Sequence, residues 1–507
     1  MNPAARPAGA RSLPLIDTLV DPGTWRRWDE PVTELPADPA YRAAVLRARE
    51  RTGLDESVVT GEGVVRGHRA ALVACEFGFL GGSIGVAAGE RLVRAVERAT
   101  RERLPLIAAP ASGGTRMQEG TIAFLQMVKV AAAVTDHKSA GLPYLVYLRH
   151  PTTGGVLASW GSLGHLTAAE PGALIGFLGP RVYEALNGEP FPPGVQTAEN
   201  LLAHGLVDAV LDPAELAGAT ARALRVLSAR DGSAPLPAAA PAPVPEADDT
   251  PAPPAAESIR RSRRPDRPGV RALLATAATD LTALSGTGAG ERDQGLLLAL
   301  ARFGAAPCVV VGHDRETHSR RGPFGPAGLR EARRGMRIAA ELGLPLVTVV
   351  DTPGAALSPA AEEGGLAGEI ARCLAELATL PSPTVCLLLG EGAGGGALAL
   401  FPADRVVAAR HAWLSPLPPE GASALMYRTT ERAAEVAEHQ GVRSQDLLAA
   451  GIADRLVAEE PDAADDPGAF LARVGAVLEQ ELAALLARDP VERQAARRRR
   501  YRELGLR

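Results

Sequence analysis

Cysteine is scarce in this chain and widely dispersed. Cys75, Cys308, Cys373 and Cys386 form no CxxC pair, so neither a zinc ribbon nor a disulfide framework is indicated. No apolar run approaches the roughly eighteen residues that a membrane-spanning helix needs. Near the start, Pro14 and Asp17 interrupt any signal-peptide core. Neither sign of charge dominates: a net charge of −5 over 507 residues argues against nucleic-acid binding through bulk electrostatics. HExxH is missing. The nine histidines are scattered, and His313 and His318 fall in a polar stretch expected at the surface rather than as ligands. Glu362 and Glu363 are adjacent, and neighbours on a helix do not face one point, so they are expected to be solvated. These absences leave a cytoplasmic protein without a bound metal as the expectation.

Glycine at strand ends is what the chain has instead. The apolar run Val385–Leu389 reads as a buried strand, followed by Glu391-Gly392-Ala393-Gly394-Gly395-Gly396 and the helix-forming Ala397-Leu398-Ala399-Leu400. Backbone N–H groups at such a helix start lack partners, and glycine lets a ligand come close to them. The same plan recurs. Leu104–Ala109 reads as a strand ending at Ser112-Gly113-Gly114-Thr115-Arg116, followed by a helix from about Gln118 to Ala140. Tyr144–Leu148 is a strand ending at Thr152-Thr153-Gly154-Gly155, with another helix expected after it. In the second half Pro345–Val350 leads to Asp351-Thr352-Pro353-Gly354-Ala355, and a helix over about 366–377 precedes the strand at Val385. Gly114 and Gly155 are 41 residues apart, as are Gly354 and Gly395, although each cluster allows a shift of one residue. The order of elements does not depend on that choice, and it indicates one α/β domain used twice.

Composition divides the chain further. Residues 231–268 are rich in Ala and Pro and read as an extended linker. The expected layout is an extension over 1–55, a domain over 56–230, the linker, a second domain over 269–465, and a C-terminal helix with a basic tail over 466–507. Arg497 to Arg500 are expected to be a solvated helix end.

A single Gly-Gly turn ordinarily serves tight helix–strand packing. Four turns in two matched pairs favour function: converging N–H groups form an oxyanion hole. Gly392 to Ala397 has the GxGxxA form of a dinucleotide fingerprint, but no suitable acidic ribose partner follows on a second strand. The pattern therefore calls for stabilised oxyanions without an evident protein nucleophile, base or metal. Enolate chemistry with a base brought by a cofactor fits.

The motifs resemble a known family. The first half is similar to the β subunit of bacterial acetyl-CoA carboxylase carboxyltransferase in Phe79-Leu80-Gly81-Gly82-Ser83-Ile84-Gly85, Ala111 to Glu119, Pro151 to Val156 and Ala169 to Arg181. The second half is similar to the α subunit in Gly312-His313 with Arg315 and Thr317, Phe324 to Gly328, Asp351 to Ala355, Gly390 to Ala399 and Pro419 to Ser423. The resemblance implies two crotonase-like domains in tandem, with β and α fused. It implies transfer of a carboxyl group from N1′-carboxybiotin, held on a carrier protein, to acetyl-CoA. Propionyl-CoA or another short acyl-CoA is the alternative acceptor, and a non-catalytic scaffold is the alternative of another class.

In that reading Gly113, Gly114, Gly154 and Gly155 hold the acyl-CoA thioester oxygen. Gly354, Ala355, Gly395 and Gly396 hold the biotin ureido oxygen. Gly81, Gly82, Arg116, Ala397 and Ala399 would contact substrate. The family's usual zinc ribbon is missing, and Leu357-Ser358-Pro359 replaces a more glycine-rich loop. No Met-Lys-Met biotinylation site or ATP-binding loop is present, so the biotin carboxyl carrier protein and biotin carboxylase are expected to be separate chains. A homodimer or larger homo-oligomer is also implied.

Overall fold

The computed structural model describes residues 11–179, 183–184, 187–228 and 252–504. These fall into two compact units, one ending at Ser228 and one from 252 onward, with Gly288–Gly290 counted in the first.

In the first unit, strands β1 (Arg26–Arg27), β2 (Val58–Val65), β3 (His68–Cys75), β4 (Leu106–Ala109), β5 (Tyr144–Leu148), β7 (Leu166–Ala169) and β9 (Ala209–Val210) lie in that order. β1, β2 and β3 are antiparallel, and the remaining neighbours are parallel. The β2–β3 hairpin turns on Arg66 and Gly67, both at positive φ, the signature of a tight turn that follows the strand twist. Strands buried on both faces read as continuous apolar runs, and β5 (Tyr-Leu-Val-Tyr-Leu) is buried throughout. A small second layer pairs β6 (Thr152–Thr153) with β8 (Ile175–Gly176). The helix Val86–Arg101 buries Leu92, Val93, Val96 and Ala99, one apolar stripe, on the sheet.

The second unit repeats this order. Strands β10 (Ala278–Leu284), β11 (Leu296–Phe303), β12 (Ala306–His313), β13 (Leu346–Thr352), β14 (Thr384–Ala393), β15 (Arg405–Ala409) and β17 (Arg455–Val457) form the sheet, antiparallel up to β12 and parallel after it. β14 runs on past the sheet, and its last residues pair with β16 (Trp413–Ser415), the counterpart of the β6–β8 layer.

Several expectations change. The first 55 residues are no appendage: the helix Ser12–Leu19 buries Leu15, Ile16 and Leu19 in the same core as Leu72 and Ala74 of β3. Ser12 also donates both its N–H and its hydroxyl to Glu76, at 2.9 and 3.0 Å. Of the linker, residues 229–251 lie outside the described residues, but 255–262 form a helix. Its Ala255 and Ile259 pack with Trp413, Ala437 and Val442, and Ser262 accepts from the Trp413 indole at 2.9 Å. The arginines of this stretch are gripped by acids. Arg267 and Glu459 form a fully buried pair at 2.6 Å.

The C-terminal stretch is likewise part of the second unit. Helix Pro467–Leu486 buries Phe470, Val474 and Leu478, and helix Pro490–Glu503 follows it. Arg497 is 2% exposed and holds Asp404 at 2.7 Å and the carbonyls of Leu377, Leu380 and Ser382, so it anchors the helix rather than decorating its end. Arg498 and Arg499 are exposed as expected. No regular helix follows Gly155. Residues 154–159 form turns, because Gly161 N–H bonds back to the Val156 carbonyl at 2.9 Å and Trp160 fills the core.

Candidate functional site

In the first unit the two glycine turns meet. Ser112 sits between them: its N–H donates to Pro151 O at 2.7 Å and its carbonyl accepts from Thr153 N–H at 2.8 Å. Across this bridge Gly114, at φ +105°, lies so near Gly155 that a Cβ on it would stand 3.3 Å from the Gly155 nitrogen. That φ favours glycine, and a side chain there would press on the Gly155 amide.

Hydrogen bonding sorts the four glycines. The Gly113 N–H donates to Gly81 O and the Gly154 N–H to Phe177 O, both at 2.9 Å, so these two brace the turns. The Gly114 N–H is held by the Ser112 hydroxyl at 3.0 Å. Among the described residues the Gly155 N–H has no partner, which leaves a donor available to a ligand.

The second unit builds the same arrangement with different side chains. The Gly354 N–H is held by the Thr352 hydroxyl at 3.1 Å, as Ser112 holds Gly114 two residues on. A Cβ on Gly396 would lie 2.9 Å from the Ala355 nitrogen, so these turns also touch. The Ala355 N–H has no partner among the described residues. The helix that follows, Gly394–Leu398, is only five residues long. Local amides, rather than a long helix dipole, are therefore what this turn presents. Gly395 is exposed, whereas Ala397 and Ala399 are buried completely, main chain included, so these two pack the turn instead of contacting substrate as expected.

Asp351 ties the two turns of this unit together. It is buried, accepts the Glu391 N–H at 3.1 Å, and pairs with Arg315 at 3.1 Å. Burial raises the pKa of the neighbouring Glu391, against the pull of Arg263 2.8 Å away.

Behind the turns lie His313 and His318, both buried where the sequence had pointed to the surface. The His313 ring packs against Phe324, tilted by 30° with centroids 4.8 Å apart, and a Cβ on Gly396 would meet Phe324 at 3.0 Å. His313 Nδ1 accepts from the Asp351 N–H at 3.3 Å. Burial lowers its pKa from 6.5 to about 3, so it is neutral in ordinary buffers. The signal for this burial was in the sequence: His313 ends an unbroken apolar strand.

Arg116 and the Gly81-Gly82 pair act as supports. Arg116 is 2% exposed, with Glu56, Ser57 Oγ and Ser83 O on its guanidinium. It fastens the loop whose Gly82 passes the Ala111 carbonyl too closely for any side chain. Residues Pro180 and Arg181 of the sequence motif lie outside the described residues.

One group has the composition of a metal centre: His411, Glu459 and Asp462 are buried with donor atoms within 4.8 Å of one another. Arginines already occupy it. Arg267 takes both Glu459 oxygens, at 2.6 and 2.8 Å, and Arg261 and Arg264 reach Asp462 at 3.4 and 3.3 Å. Three guanidinium charges there leave no electrostatic demand for a cation.

Comparison with known proteins bears on the whole chain. The model of the carboxyl transferase domain matches residues 13–497. A Mycobacterium tuberculosis protein described as a probable biotin-dependent acyl-coenzyme A carboxylase beta3 subunit is 60% identical over 493 residues, covering 97% of this chain and 98% of its own. The acetyl-coenzyme A carboxylase carboxyl transferase subunits beta/alpha of Salinispora arenicola are 38% identical, covering 96% of this chain and 89% of theirs. The transcarboxylase 12S hexamer, solved with methylmalonyl-coenzyme A and methylmalonic acid, superposes with a TM-score of 0.73 at 20% identity. It covers 95% of this chain and 90% of its own. That likeness establishes the fold, two tandem crotonase-like domains.

Proposed function

Because the chain belongs to the biotin-dependent carboxyl transferase family, we propose that it moves a carboxyl group from carboxybiotin to acetyl-CoA, giving malonyl-CoA. The observation that carries this reading is the pair of facing turns in each unit, each with an uncommitted amide, Gly155 in one and Ala355 in the other. An enolate forming on a thioester and a ureido anion are both oxyanions, and fixed amides stabilise charge that develops on oxygen.

In this reading Gly155, with Gly114 beside it, binds the thioester oxygen and favours the enolate. Ala355, with Gly395 and Gly396, binds the ureido oxygen and favours departure of the carboxyl group. Carboxybiotin supplies the CO2, and the base freed by its loss takes the α-proton. Ser112, Thr352, Asp351 and Arg116 then position rather than react. The carrier protein and the biotin carboxylase act as partners on other chains.

A wider choice of acceptor is the second reading. The relative at 60% identity is named for acyl-CoA in general, whereas the acetyl-CoA enzymes stand at 38%. Propionyl-CoA or another short acyl-CoA is therefore the alternative substrate. A scaffold without activity would not need two turns in each unit brought to contact distance with a main-chain amide left open among the described residues.

A homo-oligomer is supported by an apolar surface on the helix Gly120–Ser139 and its approach. Met117, Ile122, Phe124, Leu125 and Val128 are each more than half exposed. No described helix is long and apolar enough to cross a membrane.

The test runs the reaction backwards with free biotin, which accepts the carboxyl group of malonyl-CoA and releases acetyl-CoA. Methylmalonyl-CoA is assayed beside it. Turnover that falls in Gly396→Ala supports carboxyl transfer, and the ratio of the two rates names the acceptor. No turnover with either thioester by the folded oligomer overturns the reading.

A further inference from the structure

The second unit carries a large cavity of about 900 Å³ that the carboxyl-transfer machinery does not use. Its walls come from the start of β15, from residues 450–454 just before β17, and from the helix Pro490–Glu503 with Arg488 before it and Leu504 after it. None of the turn residues lines it. Six arginines do: Arg405, Arg488, Arg493, Arg497, Arg499 and Arg500. Three acids face them, Asp404, Asp454 and Glu503, leaving a surplus of three positive charges on a chain whose net charge is negative.

The arginines fall into two sets. Four are fixed by the fold. Arg493 and Arg497 share Asp404, at 3.6 and 2.7 Å, while Arg405 and Arg500 share Asp454. Asp404 and Asp454 are thus already committed. The other two, Arg488 and Arg499, are exposed, and their guanidinium groups have no partner among the described residues. A structural salt-bridge cluster explains the first set but not the second. Two uncommitted guanidinium groups over a floor of net positive charge suit a ligand with several phosphate oxygens, which guanidinium binds in a bidentate fashion.

The same wall has an apolar part, with Ala450, Ile452 and Leu504. Size agrees as well, since small-molecule sites typically enclose about 300–1,000 Å³. A phosphate ion alone would leave most of this space empty, whereas a nucleoside polyphosphate places its phosphates among the arginines and its base on the apolar wall.

We propose that the cavity between the start of β15, the segment 450–454 and the C-terminal helix is a second ligand site, one that takes a nucleoside polyphosphate. Arg488 and Arg499 grip the phosphates. Arg493, Arg497 and Arg500 supply the fixed positive field beneath them.

Isothermal titration of the full-length protein with ATP, pyrophosphate and adenosine tests this. ATP and pyrophosphate are expected to bind saturably and in competition, ATP more tightly, and adenosine not at all. Arg488→Glu with Arg499→Glu should weaken ATP at least about tenfold, because each lost charge-assisted bond is worth that much. Both side chains are exposed and unpaired, so the melting temperature should stay put. If the double variant melts early, Arg488→Gln and Arg499→Gln singly replace it, each with a smaller loss of ATP binding expected. Absence of saturable binding by either polyphosphate overturns the proposal. So does ATP binding that the substitutions leave unchanged, or adenosine binding as tightly as ATP. Biotin carboxylation by the double variant should be unchanged, which separates this site from the reading of the glycine turns.

Discussion

The main-chain nitrogen of Gly155 lies against Gly114, so close that a methyl group on Gly114 would stand 3.3 Å from it. Two turns that are 41 residues apart in sequence thereby become one surface. Gly114 also sits at φ +105°, where an L side chain is strained. Gly114→Ala should displace the Gly155 amide while leaving the sheet intact. Loss of one oxyanion donor costs about 10²–10³ in kcat, and that drop is expected in malonyl-CoA-dependent carboxylation of biotin. The KM for malonyl-CoA should change much less, because the donor acts mainly on the charge that develops during reaction. A raised KM with unchanged kcat would mean that these amides only bind the thioester.

The glycine turns were legible before the structure because chemistry and geometry demand the same residue there. Gly114, Gly354 and Gly396 are readable as glycines whether the reason is φ or close approach. The alternation of strand and helix was legible through long apolar runs such as Val385–Leu389. What escaped was pairing at a distance. Arg497 stands in a run of four arginines, and nothing near it in sequence says that Asp404 waits inside the fold. Ala255 to Ser262 lies beside a Pro-rich stretch, and its packing partner Trp413 is more than 150 residues away. His313 looked polar because of the residues after it, but the strand before it carries it into the core.

The Arg267–Glu459 pair makes the former linker part of the second unit. Burial pushes the Glu459 pKa up, and the Arg267 charge and hydrogen bonds more than offset this, leaving it below its ordinary value. A depressed carboxyl stabilises the fold above its unfolded pKa, and that contribution is lost as pH falls through the folded value. Glu459→Gln leaves a buried guanidinium without its counter-charge, which costs about 3–5 kcal/mol. Urea unfolding at pH 7 should show that loss, and the variant should lose less stability than the wild type on acidification. Equal stability of variant and wild type at pH 7 would show that the pair is dispensable.

His313 gives a pH dependence of its own. Its folded pKa is about 3 and its ordinary value 6.5, both set by whether the ring is buried. Between those values the unfolded chain binds a proton that the folded chain refuses, so stability falls as pH drops from about 6.5 toward 3. Glu331, whose pKa burial raises to about 7, has the opposite slope between its ordinary 4.5 and 7, so the comparison must be made variant against wild type. His313→Phe keeps a ring against Phe324 and removes the titration. Chemical unfolding across pH 4–6 should show a shallower decline in the variant. Carboxyl transfer should also slow, because the Asp351 N–H loses its acceptor and Asp351 holds both turns.

The exposed side of the helix Gly120–Ser139 is the place to test assembly. Ile122, Phe124 and Val128 are 65%, 61% and 66% exposed on a helix whose other face buries Ala123, Met127 and Val130. Soluble monomers seldom leave such a patch uncovered, since burying each large side chain is worth about 1.5–3 kcal/mol. Phe124→Glu places a charge where a second copy would have to bury it, but leaves the inner face untouched. Light scattering coupled to size-exclusion chromatography should find the wild type as a dimer or larger and the variant as a smaller species. Its far-ultraviolet circular dichroism should be unchanged. If carboxyl transfer falls together with the mass, assembly is needed to complete the active site. If the mass falls and activity persists, each copy works alone. A variant of unchanged mass would show that this face is not the one that joins the subunits.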